Sequence, residues 1–137
     1  MSRARELALV LVGGTLGGAA RIAVGELFPH LAATLPWDLL LINVIGSAGL
    51  GAAVAYSRSQ GPLPYFPAIG PGFFGGFTTF SSIACLQWSA GLGTAASAGV
   101  LAATMAAAVL GAAVGWWFGD RPPTPIDERA IFEEENE

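Results

Sequence analysis

The chain has 137 residues, of which 53% are hydrophobic and 12% charged, with no lysine and one cysteine. Seven of its ten acids (Asp120, Asp127, Glu128, Glu133, Glu134, Glu135 and Glu137) fall in the last eighteen residues, so the acidic balance belongs to a tail. From Leu7 to Gly119 the only formal charges are Arg21, Glu26, Asp38 and Arg58, too few to cover a soluble domain of this size. The economical reading is an all-α integral membrane protein: one helical domain over 1–119 and an acidic tail over 120–137, expected to be disordered.

The same inventory bears on function classes. Cys85 stands alone, so no disulfide framework exists within the chain and no metal-ligand spacing is present. His30 is the only histidine, beside Pro29, and reads as an interfacial loop residue. With no nucleophile–base pair and no metal cluster visible, an enzyme is not expected. Membrane lipid is an expected partner and nucleic acid is not.

In chain order, Arg3 and Arg5 precede an apolar run that resembles the start of a signal peptide. The run continues past Arg21, which favours a retained first span over about 7–27. Residues 29–36 form a turn, and a second span covers about 37–56. The polar, proline-bounded stretch 57–64 leads to a third apolar segment over about 65–88, interrupted at 70–79. A fourth covers about 93–118. Each approaches the roughly 20 residues needed to cross a bilayer. Trp37, Tyr56, Tyr65, Trp88, Trp116 and Trp117 lie near segment ends, where aromatic belts form. Small residues recur at four-residue spacing, most plainly at Gly111, Gly115 and Gly119, and predict close helix packing.

Arginine placement predicts orientation. With four spans, both termini and the second loop share one side, and that side holds Arg3, Arg5, Arg58, Arg121 and Arg129. The other loops hold neither arginine nor lysine, so both termini are expected in the cytoplasm of a cell-membrane protein.

Few polar groups lie inside the spans. Asn43 sits within the second, with Ser47 one turn later; it reads either as a partner in an interhelical hydrogen bond or as a pore-lining donor. Arg21 must snorkel, pair with Glu26 or Asp38, or bind carbonyls; anchoring is the favoured role, and ion attraction at a vestibule the second. Glu26 and Asp38 are expected at the interface, and no carboxylate occupies the centre of a span. Residues 72–82, Gly-Phe-Phe-Gly-Gly-Phe-Thr-Thr-Phe-Ser-Ser, interrupt the third segment. Backbone freed there is tolerated only against protein, water or an ion. The hydroxyls of Thr78, Thr79, Ser81 and Ser82, with the ring edges of Phe77 and Phe80, suit an anion held loosely enough to leave.

Three blocks in order, residues 13–21, 43–47 and 72–82, resemble the Fluc (CrcB-type) fluoride channel family. The resemblance covers about 7–119 and implies a passive fluoride channel of two antiparallel subunits, with the third helix broken mid-membrane. It also implies a structural sodium ion at the dimer centre, held by main-chain carbonyls at positions matching Gly75 and Thr78. Asn43 matches the family's pore asparagine, Phe80 the first phenylalanine of its fluoride-facing pair, and Ser81 and Ser82 hydroxyl positions beside it. Phe77 is a further pore candidate, and Arg21, Gly46, Ser47, Gly76 and Thr79 are expected in structural roles. Two departures stand out. The second phenylalanine of the pair falls on Ile83, and the fourth helix lacks the tyrosine many members carry, with Ser97 or Thr104 as partial substitutes.

A homodimer of antiparallel copies needs balanced loops, and five arginines against none do not suit that. A related chain of opposite orientation is the favoured second subunit, a copy of itself the other option. Two other readings stand beside a conducting subunit: a non-conducting partner subunit, kept open by Ile83, and a small multidrug-type transporter, opposed by the missing central carboxylate.

Overall fold

The computed structural model describes residues 2–27, 37–63, 65–89, 91 and 93–120. Three long helices dominate: α1 (Arg3–Leu27), α2 (Trp37–Ser59) and α5 (Thr94–Gly119). All three are long and apolar enough to cross a membrane. At 1.5 Å per residue they extend about 35–39 Å, more than the roughly 30 Å of bilayer hydrocarbon.

Between α2 and α5 the chain is segmented. A π-helix over Ala68–Phe74 runs into the short α3 (Gly75–Phe77), and α4 (Ser81–Ser89) follows after three non-helical residues. Pro71 lies inside the π-helix. Proline has no N–H, and its ring collides with the carbonyl four residues back in a regular α-turn; the wider π-turn accommodates it. The interruption is therefore narrower than 70–79: the backbone stays helical through Phe77 and turns extended at Thr78, with ψ at 151°. Glycines at 72, 75 and 76 do not unwind the helix.

The glycines set how closely helices approach. A methyl at Gly51, Gly115 or Gly119 would strike the carbonyls of Ala112, Ala48 and Ala52, so α2 and α5 meet backbone to backbone, and Gly111 sits against Val44. On the other side α1 presses on the interrupted segment. Gly13 faces the Ala68 carbonyl, Gly17 the Phe73 carbonyl, and Gly76 the Gly14 carbonyl. Without a hydrophobic drive between helices in lipid, such close packing is what holds them together.

The side-chain core is small: Leu39, Ile42 and Ile83, with Val24, Phe77 and Leu101 packed around it. Much remaining apolar surface points outward, including Leu11 on α1 and Trp117 on α5, each more than two-thirds exposed. Asp38 departs from the sequence expectation. Glu26 is exposed, but Asp38 is buried in the first turn of α2 rather than open at the interface. The turn at 29–36 with His30, the tail from 121 and the Trp88 side chain lie outside the described residues.

Candidate functional site

The site grows from one need: a buried amide on α2 must find partners. Asn43 is 7% exposed. Its Oδ1 accepts the Thr79 N–H at 2.8 Å, and its Nδ2 donates to the Thr79 carbonyl, also at 2.8 Å. This reciprocal pair fixes the amide orientation, because the flipped amide would oppose oxygen to oxygen. Among the described residues, one Nδ2 hydrogen is left over.

Thr79, 8% exposed, is the hub of the interruption. Its Oγ1 donates to Ser82 Oγ at 2.9 Å and accepts the Ser82 N–H at 3.3 Å; Ser81 Oγ is 3.5 Å away. From the α1 side, Arg21 Nη1 donates to Ser82 Oγ at 3.4 Å. The sequence expectation is a carboxylate or a carbonyl; among the described residues this hydroxyl is a partner of Arg21. Its Nε is buried and makes no hydrogen bond among the described residues. Thr78 closes the preceding helix: its N–H and Oγ1 both donate to the Phe74 carbonyl, at 3.0 and 2.8 Å. Gly46 leaves room for the Thr78 methyl and the Phe77 ring, which a side chain there would strike.

These partners account for two of the donors the interruption frees. In an uninterrupted helix the Thr79 N–H would serve the Gly75 carbonyl and the Ser82 N–H the Thr78 carbonyl. Asn43 takes the first donor and the Thr79 hydroxyl the second. Gly75 is exposed, and among the described residues nothing lies within 4 Å of where its side chain would stand, so their packing does not demand a glycine there.

Beside the hub, a groove of about 340 Å³ runs between the interruption, α2 and α5. Asn43, Ser47, Thr78 and Thr79 supply its polar lining, Phe80 and Ile83 one wall, and Thr104 and Met105 another. Phe80 is 55% exposed. Ile83 is 1% exposed and belongs to the core as well as the groove wall. Thr104 donates its hydroxyl to the Val100 carbonyl at 2.9 Å, which leaves only its oxygen's acceptor capacity and methyl for the groove.

Not every predicted residue converges here. Ser82 lies at the α1-facing end of the network, and neither Ser81 nor Ser82 lines the groove. Phe77 stacks on Phe73 with centroids 5.8 Å apart and packs against the core. Of the two tyrosine substitutes, Thr104 lines the groove and Ser97 does not. Met105 also lines the groove, and the one sequence signal for it is its place one residue past Thr104 on α5.

Residues 8–119 match the family model described as CrcB-like protein, Camphor Resistance (CrcB). Among curated proteins, the chain is 46% identical over 90 residues to "Fluoride-specific ion channel FluC" of Gloeobacter violaceus, covering 60% of this chain and 70% of that one. It is 37% identical over 84 residues to "Fluoride-specific ion channel FluC 2" of Streptomyces avermitilis, covering 60% of this chain and 53% of the relative. With the protein of the same name from Thermobifida fusca the identity is 41% over 78 residues, covering 56% and 58%. The chain thus spans little more than half the length of the latter two relatives.

Proposed function

The chain belongs to the CrcB-like family, and from that premise we propose that it is a subunit of a fluoride-selective passive channel in the cell membrane. The relatives named above are described as fluoride-specific channels, and the site's chemistry suits that role. The carrying observation is the Asn43–Thr79 pair: it fixes a buried amide beside a groove and leaves one Nδ2 hydrogen over as a neutral donor. Phe80, exposed on the same groove, offers a ring edge. Neutral donors and ring edges hold an anion without trapping it.

In this reading the π-helix, α3 and α4 form a third span broken at Thr78–Phe80, so the fold is a four-span bundle. The groove and the open face at Gly75 are where a second, antiparallel subunit completes the path. The carbonyls of Gly75 and Thr78, deprived of their helical donors, fit a structural sodium ion, which would supply a fixed positive charge beside the anion path. Carbonyl oxygen suits a hard cation of this kind.

Fluoride efflux from liposomes containing the purified chain, alone and with a co-expressed relative, tests the proposal, with chloride run alongside. Fluoride efflux exceeding chloride efflux in either preparation is the expected result. A second reading, a partner subunit that does not itself conduct, is favoured by Ile83, which fills core space where the family places a pore ring. In that case Asn43 and Phe80 substitutions in this chain alone would leave the flux of the pair unchanged.

A further inference from the structure

We propose that Thr79 is the positioning residue of the cation site, acting by withdrawing helical donors from the two carbonyls that would hold the ion. This deepens the sodium reading above and rests on it. Its logic lies in a coincidence of register. The donors missing from Gly75 and Thr78 are the N–H groups of Thr79 and Ser82, four residues on in each case. Both are engaged by side chains that converge on Thr79. The Thr79 N–H goes to Asn43 Oδ1 at 2.8 Å, and the Ser82 N–H to Thr79 Oγ1 at 3.3 Å.

The Thr79 hydroxyl is held for this task. It donates to Ser82 Oγ at 2.9 Å, which aims an oxygen lone pair back at the Ser82 N–H, and Arg21 Nη1 holds the same Ser82 oxygen from α1. The Asn43 Nδ2 bond to the Thr79 carbonyl removes a third helical acceptor, the one Ile83 would use. Every main-chain group of Thr79 is therefore committed to a side chain of α2, and its hydroxyl to the start of α4. Helix cannot propagate through this residue whether or not a cation is bound. The ion site is built by side chains in advance.

Thr79→Val keeps the shape and removes the hydroxyl; Thr79→Ser keeps the hydroxyl and removes a methyl. With the full-length protein in the assembly that purifies, thermal unfolding is followed as sodium chloride replaces N-methyl-D-glucamine chloride at constant ionic strength. In Thr79→Val the Ser82 N–H loses its side-chain acceptor and competes with the ion for nearby carbonyls, and the sodium concentration giving half the stabilisation rises by about tenfold, the factor that loss of one hydrogen bond near 1.4 kcal/mol produces. Thr79→Ser stays within about twofold of the parent. A Thr79→Val titration matching the parent's overturns the proposal. A parent with no sodium dependence removes the cation site itself, and neither result depends on fluoride flux.

Should Thr79→Val not fold, hydrogen exchange on the parent decides. Protection of the Thr79 and Ser82 amides is expected to be the same with and without sodium, since their acceptors are side chains. A change above about tenfold on withdrawing sodium would mean the ion makes the interruption, and the proposal fails.

Discussion

Asn43 carries two demands at once, and a substitution that meets one but not the other separates them. Asn43→Asp keeps an acceptor for the Thr79 N–H but sets a carboxylate oxygen against the Thr79 carbonyl, where Nδ2 now donates at 2.8 Å. It also places a negative charge beside the proposed anion path. Fluoride efflux from liposomes should fall at least about a hundredfold, since a like charge in a low-dielectric site costs more than about 3 kcal/mol. Efflux at parental rates would remove Asn43 from the path. Ile83 makes a second case. Restoring the ring by Ile83→Phe adds volume at a position 1% exposed, among Leu39, Ile42 and Phe77. It should cost about 1–3 kcal/mol of stability, read as a lower unfolding temperature, rather than restore a simple pore residue.

At the scale of elements, the spacing of small residues was legible because it is local. Gly111, Gly115 and Gly119 share one helical face, and in the structure that face lies on α2. The contrast within α5 yields a prediction. A methyl at Gly115 would meet the Ala48 carbonyl, while one at Gly99 meets nothing within 4 Å among the described residues. Gly115→Ala should lose about 1–3 kcal/mol, as overpacking does, whereas Gly99→Ala should be neutral or slightly stabilising through helix propensity. Thermal unfolding of the two variants side by side checks this. What the sequence hid was pairing at long range. The Asn43–Thr79 clamp joins residues 36 positions apart, and nothing in either neighbourhood marks the other. The sequence showed that Asn43 needed a partner and that 72–82 had backbone to spare, without joining the two. The π-turn around Pro71 was hidden for a related reason. Proline and glycine advertise a broken helix, and only the backbone's freedom to widen a turn keeps residues 70–77 helical. Asp38 escaped because burial in the first turn of α2 depends on neighbours outside its own helix.

For the whole molecule, the open questions of orientation and partner are one question. Among the described residues nothing lies within 4 Å of a side chain placed at Gly75, and the proposed antiparallel subunit would insert in the opposite sense to set its own interruption there. Whether that subunit is a copy depends on whether this sequence inserts both ways. Five arginines on one side of the proposed four-span layout and none on the other bias insertion strongly, since short loops rich in arginine stay in the cytoplasm. Reporters active only in the cytoplasm, fused in turn to the N- and C-terminus, should both be active, with periplasm-dependent reporters silent at the same positions. Relocating the bias should then convert the protein: with Arg3, Arg5 and Arg58 changed to glutamine and arginines placed in the first and third loops, both reporter patterns should reverse. A chain that inserts one way cannot pair antiparallel with itself, so the parent should conduct only beside a relative of opposite orientation. Comparable activity of both reporter types in the parent would mean dual insertion, and would make the homodimer the working assembly.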